Sequence, residues 1–436
     1  MEFPPVNTTG NYRSASFVRY LPLHNIAPVV LTCDIASGEK TFFKKAENSL
    51  IKDISKEVKI YRFSIKDHNR FYRTTIGNFI RIKKNITDDI RQRWFSRKTI
   101  KEISKIILEE TPSAIYVSLP PFSMYKAAIY ISKKHNLPLI TDMRDAWSLW
   151  GSNPFPTILH YWRVKELEGK LFQQSSAIIA VTNELINDFL SQHTQIDSSK
   201  FHCIFNGTDI SEVSNRAVDD NKDGIFHIGY IGSYYYDPIY EALKGEKWYR
   251  RKNFKKFFYW PRKEDWKYRS PFFFLKTVKR LIEKGINNIR FHHVGDTPGW
   301  LREMVSDFDL EKYVIFHGFV KKEQVLMIQS EWNAVLATSE KIYGGNHFCL
   351  PSKTFDYINS GKIILAFITP GAQQDLLRHF SQTIFFNPDS TESNTLILSD
   401  LIKGKSEIAK TIKIPEEYTR EYQAKQLAEL VRKYGK

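Results

Sequence analysis

Short apolar runs alternate with amphipathic stretches along nearly the whole chain, and this alternation leaves few folds available. A brief run that is apolar throughout suits a strand buried on both faces, which requires helices above and below and crossover connections between parallel strands. In the first half such runs fall at 28–33, 58–64, 114–119, 138–143, 177–182 and 201–205. The apolar spacing between them predicts helices at 97–110, 122–135, 161–174 and 183–192. A polar stretch without apolar period, 214–224, reads as a linker. A second series then opens at 225–233 and continues at 289–295, 314–320, 333–339, 363–368 and 383–387. The expected fold class is therefore α/β, with two tandem Rossmann-like, doubly wound domains facing a central cleft. Residues 1–213 form the first, 225–410 the second, and 411–436 a C-terminal helix that packs back on the body. Ligands of such sheets bind at the carboxyl ends of the strands. Neither half places GxGxxG or GxxxxGK[ST] where dinucleotide enzymes or P-loop NTPases need it.

The length of 436 residues calls for two cores, and the 42% hydrophobic and 26% charged content excludes large-scale disorder. Cys33, Cys203 and Cys349 are far apart and lack CxxC spacing, so neither a disulfide framework nor a zinc site is expected. No apolar run approaches the roughly 18–20 residues that span a bilayer, and the N-terminus lacks a signal-peptide layout. A cytoplasmic protein is expected. A net charge of +16 favours an anionic partner. Residues 1–11 read as the loop after a first strand, so either a short upstream segment precedes them or the sheet edge is covered in another way.

The segment 350–362, followed by the apolar run 363–368, reads as a helix that starts at Ser352 and stops at Gly361 before a buried strand. A helix N-terminus presents free N–H groups and partial positive charge, so Lys353 beside it suits a diphosphate and Asp356 a ribose; an ordinary αβ unit with a surface Lys and Asp is the alternative. Gly232 and Ser233, at the end of the first strand of the second series, would let backbone approach a phosphate because glycine has no Cβ.

Several segments in order resemble the family-4-like glycosyltransferases of the two-Rossmann GT-B architecture that build bacterial surface polysaccharides. They are Phe3-Pro4-Pro5 with Gly10-Asn11-Tyr12-Arg13, Ser118 to Ser123, Asp142-Met143-Arg144-Asp145-Ala146-Trp147, and Val181-Thr182 with Asn206-Gly207-Thr208-Asp209. Gly229 to Ser233, His317-Gly318-Phe319-Val320 and Lys353 to Lys362 follow. The resemblance implies sugar transfer from a nucleotide-sugar, which is a substrate, with no other cofactor. It sets the donor on the second domain and a lipid-linked or polysaccharide acceptor on the first. Asp356 falls where a Glu of the family binds the ribose, and Lys353 lies within reach of the diphosphate. Phe319 and Val320 match the loop at the base, or are plain strand-end core.

Family members often carry two glutamates separated by seven residues, and here Phe348 takes the first of these positions. Glu340 is the nearest acid upstream, so Glu340 or Asn346 is expected at the sugar, with a surface loop Glu as the alternative. On the acceptor side Asp145 is the candidate base, or the acceptor-positioning group of a retaining enzyme. Arg144 and Asp145 equally suit a structural ion pair. Gly10, Asn11 and Arg13 are expected at an anionic acceptor or the donor phosphate, with a solvated Arg13 as the alternative. The histidines look unclustered, no HExxH or DxD-like arrangement stands out, and no catalytic metal is expected.

Residues 237–271 form a basic, aromatic insertion. Between Lys244 and Arg269 eleven Lys or Arg stand against three acids, which is half of the net charge of the chain. Trp248, Arg250, Arg251, Lys255, Lys256, Phe257, Phe258 and Trp260 are the expected contacts with an anionic membrane surface, which makes the protein peripheral on the inner face of the cell membrane. Single-stranded nucleic acid uses the same residue types but is not the expected partner. A solvated hairpin with inward aromatics is the alternative. Arg262, Lys263 and Arg269 return toward Gly232 and are placed to face donor phosphates.

Overall fold

The computed structural model describes residues 3–4, 9–33, 54–63, 97–151, 154–209, 223–320, 322–405 and 414–436. Its first half runs α1 (Thr9–Tyr20), β1 (Val29–Cys33), β2 (Lys59–Phe63), α2 (Arg97–Glu110), β3 (Ile115–Leu119), α3 (Tyr125–His135), β4 (Leu139–Met143), α4 (Ile158–Gln174), β5 (Ala177–Ala180), α5 (Asn183–Gln192) and β6 (Phe201–Cys203). The second half opens with β7 (Phe226–Ile231), α6 (Pro238–Gly245), β8 (Glu264–Asp265), α7 (Phe272–Glu283), β9 (Ile289–Val294) and α8 (Gly299–Asp307). It continues with β10 (Val314–Gly318), α9 (Lys322–Ser330), β11 (Ala334–Thr338), β12 (Lys341–Ile342), α10 (Ser352–Asn359), β13 (Ile363–Phe367), α11 (Ala372–Leu377), β14 (Thr383–Phe386) and α12 (Thr391–Ile402). Last comes α13 (Arg420–Tyr434). The linker expected at 214–224 lies almost wholly outside the described residues.

The apolar runs of the sequence are the strands. β4, β5 and β11 are buried at every position, as continuous apolar runs require. Side-chain caps sharpen the helix starts. Thr157 accepts from the His160 N–H, so α4 begins three residues before the apolar spacing alone suggests, and Thr182 and Asp237 cap α5 and α6 in the same way.

Parallel pairing assembles the second half into six strands in the order β10-β9-β7-β11-β13-β14. That is the doubly wound order 3-2-1-4-5-6, whose direction of winding reverses between β7 and β11. The reversal splays the following loops apart and opens a crevice there, with Gly232 and Ser233 after β7 and Ser339 and Glu340 after β11. In the first half β3-β4-β5-β6 form one parallel sheet and β1-β2 a second pair. Among the described residues these two sheets share no strand pairing.

The helix α13 packs on the first half, not on the sheet that precedes it. Its Ala424, Leu427, Ala428 and Leu430 share a core with Phe17 and Leu21 near α1 and with Ile140, Ala177, Ile179 and Ile204 of the first sheet. Backbone bonds at the crossing, Thr208 N–H to the Tyr418 carbonyl and Arg420 N–H to the Thr208 carbonyl, are both 3.0 Å. Leu427 is 1% exposed, so Leu427→Ala is expected to cost about 2–5 kcal/mol, read as a lower urea midpoint at unchanged slope.

Candidate functional site

At the end of β7 the chain turns through Gly232, whose φ of +104° is strained for residues with a side chain. Its N–H donates to the Val294 carbonyl at 2.7 Å. Gly295 lies so close that a Cβ there would stand 2.7 Å from the Gly232 carbonyl oxygen. Bare backbone therefore forms this strand end, and a Cβ on Gly232 would lie 3.4 Å from Lys353 Nζ.

Lys353 stands on the first turn of α10, which begins after Pro351 without a side-chain cap. Its ammonium donates to the Tyr230 hydroxyl at 2.6 Å and lies 3.9 Å from the centre of that ring. Tyr230 in turn stacks on Tyr234 at 3.9 Å and on His293 at 5.9 Å. Burial, with the nearby Arg269 charge second, pulls the Lys353 pKa down to about 7.

Arg269, at the returning end of the insertion, is the second cation of the crevice. It is 6% exposed and lies over the rings of Tyr235 and Trp266 at 5.0 and 5.3 Å. Its Nη1 donates to Glu340 Oε2 at 2.8 Å, and both terminal nitrogens reach Cys349 Sγ at 3.5 and 3.6 Å. Burial alone would weaken its charge, but Cys349 and Glu340 outweigh that and raise its pKa. Burial pushes Glu340 up, yet His347, whose Nε2 is 2.9 Å away, and Arg269 overrule it and bring Glu340 down to about 2. Burial pushes the Cys349 thiol up to about 11. It also raises Asp145, against the attraction of Arg144 and Arg269. Glu340, His347 and Cys349 keep their ligand atoms within 4.8 Å of one another, a donor set a metal would accept, but Arg269 already occupies two of the three.

Other expected residues are placed as follows. Asp356 is exposed on α10 and accepts from Thr208 Oγ1, of the first half, at 3.2 Å. Ser233 and Asn346 are exposed. Phe319 is 67% exposed while Val320 packs against the core, so strand-end core describes only Val320. Glu340 is no surface acid, since it is 1% exposed. Phe348, at the position of the family's first acid, is buried in the core of the first half beneath the Arg262 guanidinium.

The alternative of a solvated Arg13 is corrected. Its side chain is 4% exposed. Its Nε and Nη2 donate to the two Asp142 oxygens at 2.9 and 3.0 Å, and Nη1 and Nη2 reach the Phe205 and Ile204 carbonyls. Asp142 also accepts from Tyr116 and Ser118. This network ties α1 to β3, β4 and the end of β6 and uses four of the five N–H groups of the guanidinium. Asn11 is wholly buried. Gly10 lies against Arg144, where a Cβ would meet Nη1, and the other arm of Arg144 donates to the Pro120 carbonyl. Among the described residues Arg144 and Asp145 form no ion pair within 4 Å.

The insertion divides. Trp248, Arg250, Lys255, Lys256 and Phe257 are exposed. Arg251 is buried over the Trp260 ring at 5.2 Å, while Phe258, which packs between Tyr240 and Trp260, and Trp260 itself are half-buried. The histidines, read as scattered, form a row across adjacent strands: His227 to His292 at 2.8 Å and His292 to His317 at 3.0 Å. Strand order, not sequence spacing, brings them together.

Glu264 was not anticipated. It is 4% exposed, accepts from Trp266 Nε1 at 2.8 Å and presses on Gly151 of the first half, where a Cβ would fall 1.8 Å from its carboxylate. Burial, then the charge of Glu340, pushes its pKa up to about 7. No local signal marked it, since it lies in a run of charged residues.

No protein-family model matches the sequence, and no curated protein matches it. Solved structures share the fold over nearly the whole chain. HepE of Anabaena, solved with UDP and glucose, is 14% identical with a TM-score of 0.53, covering 99% of this chain and 94% of its own. The lipopolysaccharide outer core galactosyltransferase WaaB is 12% identical with a TM-score of 0.54 over 99% and 98%. UDP-GlcNAc 2-epimerase from Neisseria meningitidis, bound to UDP-GlcNAc, is 13% identical with a TM-score of 0.54 over 97% and 96%. The architecture is that of the two-Rossmann GT-B proteins.

A carboxyl raised on folding stabilises the protein fully below its unfolded value near 4.5, and that contribution is lost as pH rises through about 7. Glu264→Gln, which cannot ionise, is therefore expected to gain on the order of 2 kcal/mol relative to wild type between pH 5 and pH 8. Urea unfolding of both proteins at the two pH values measures it.

Proposed function

We propose that the protein is a glycosyltransferase that moves a sugar from a nucleotide-sugar bound to its second half onto a lipid-linked or polysaccharide acceptor bound to its first, in building a surface polysaccharide. The observation that carries this reading is the pair of cations at the switch point: Lys353 on the first turn of α10, against the bare Gly232 backbone, with Arg269 close enough to depress its pKa. Negative charge develops on the leaving diphosphate during glycosyl transfer, and fixed positive groups with a helix N-terminus stabilise that charge. This reading assigns the neutralising role to side chains and needs no metal.

Asp356 accepts from the ribose hydroxyls, and the exposed ring of Phe319 offers a stacking face for the base. Ser233 contributes at the phosphates. Asn346, within the loop 343–347, reaches toward the sugar, and Glu340, which precedes the loop and is bound by Arg269 and His347, acts by holding it. Asp145, half-buried with a raised pKa, is the base toward the acceptor hydroxyl or its positioning group, and Arg144 orients the strand end beside it. The exposed cations and rings of the insertion suit the anionic inner face of a membrane, where a lipid-linked acceptor resides. No helix among the described residues is long and apolar enough to cross a membrane.

HepE and the epimerase were solved with UDP or UDP-sugars, which supports a nucleotide-sugar as ligand here. The similarity to the epimerase supports a second reading, inversion at a sugar carbon without transfer. Product analysis separates the two: a glycosylated acceptor means transfer, an epimeric nucleotide-sugar the alternative.

A thermal-shift screen against nucleotides and nucleotide-sugars is expected to reveal stabilising ligands, and Lys353→Ala to abolish the shift while the ligand-free melting temperature stays near wild type. An unchanged shift would remove Lys353 from the site. With a pKa near 7, Lys353 is mostly neutral at pH 8, and a bound diphosphate raises that pKa. Binding at pH 8 should then take up a substantial fraction of a proton, measured by calorimetry in buffers of different ionisation enthalpy, and Lys353→Met should take up none.

A further inference from the structure

Exposed apolar side chains flank, on each half of the chain, a built junction between the two. On the insertion Trp248 is 66% and Phe257 61% exposed. At the start of α4, in the first half, Leu159 is 49% and Trp162 55% exposed. Between the two sets Phe155 and Tyr259 exchange backbone hydrogen bonds of 2.9 and 3.0 Å, and the Tyr259 ring lies 5.0 Å from that of Tyr161. Arg262 adds an ion pair with Asp188 of α5. Phe257 is two residues from this bridge, at most about 7 Å of chain, and Trp162 adjoins Tyr161, so each set has a member next to the junction in the chain.

The chemistry around them selects the occupant. Lys247, Arg250, Lys252, Lys255 and Lys256 are all exposed on the insertion side. Beside them opens a groove of about 600 Å³, lined by Pro238, Ile239, Ala242 and Leu243 with Glu246 and with Lys255. Cations near an anionic bilayer are worth about 1 kcal/mol each, aromatic rings settle at headgroup depth, and an apolar groove next to a lysine accommodates a hydrocarbon chain below its phosphate. Leu159 of α4 adds nothing to nucleic-acid binding, whereas a bilayer uses every member of both sets.

We infer that the insertion and the start of α4 form a single docking surface for an anionic bilayer, shared by the two halves of the protein. The inference deepens the membrane contact proposed above and rests on it. With the donor on one half and the acceptor on the other, a surface spanning both holds the crevice at a set height and angle over the membrane.

The test is flotation of the full-length protein with phosphatidylcholine vesicles that contain or lack phosphatidylglycerol, at low and high salt. Wild type is expected to float only with the anionic vesicles, less so at high salt. Trp248→Ala with Phe257→Ala, and separately Leu159→Glu with Trp162→Glu, are each expected to weaken flotation on the order of tenfold. All four side chains are exposed, so melting temperatures should stay near wild type; Leu159→Ser with Trp162→Ser serves if the glutamates disturb α4. If the α4 variants float like wild type while the insertion variants do not, the shared surface is wrong and the membrane contact stands. If the insertion variants also float like wild type, or wild type binds single-stranded oligonucleotides and no vesicles, the membrane reading itself falls.

Discussion

The arrangement of the crevice depends on the guanidinium of Arg269 buried between two aromatic faces. A cation taken out of water costs several kcal/mol unless charge and hydrogen bonds replace its hydration, and here Glu340, Cys349 and the rings of Tyr235 and Trp266 do so. The field of that charge reaches further than its contacts. It helps keep Glu340 ionised despite full burial, opposes the upward shift of Asp145, and depresses the neighbouring Lys353. One residue thus contributes, after burial and, for Glu340, after His347, to the protonation of an acid at a strand end and a base on a helix.

The insertion that supplies Arg269 also joins the two halves. From β7 it crosses to the first half, where Tyr259 pairs with Phe155, Arg262 with Asp188, and Glu264 lies on Gly151. Phe348 completes the contact: Thr182 Oγ1 donates to its carbonyl at 2.7 Å and its ring enters the first core. The departure from the family pattern at that position thereby acquires a physical account. An acid there would be buried among Leu, Ile and Phe side chains, whereas a phenyl ring supports the interface and Arg262 covers its face.

The strands and most helices were legible because burial on both faces leaves a continuous apolar signature within a few residues, as in β5 and β11. The strand-end glycine and the helix start after Pro351 were legible for the same reason, since backbone conformation and capping are local. The partners of the charged residues were not. Arg13 and Asp142 are 129 positions apart, and Arg269 and Glu340 are 71 apart. From sequence each of the four could be solvated, and the structure instead buries all of them in ion pairs.

What the sequence by itself determined is therefore the α/β class, the two doubly wound series, the basic insertion, the placing of Lys353 at a helix start and that of Gly232 at a strand end. Each follows from periodicity or from the conformational limits of single residues, which act over one or two turns of chain. Only the tertiary structure decided which insertion side chains face water, that Phe348 plugs the first core, and that Arg269, Glu340, His347 and Cys349 meet. The crossovers that carry β7 and β11 side by side fix those neighbours, and electrostatic pairing acts through space across segments whose order in the chain says nothing about their distance.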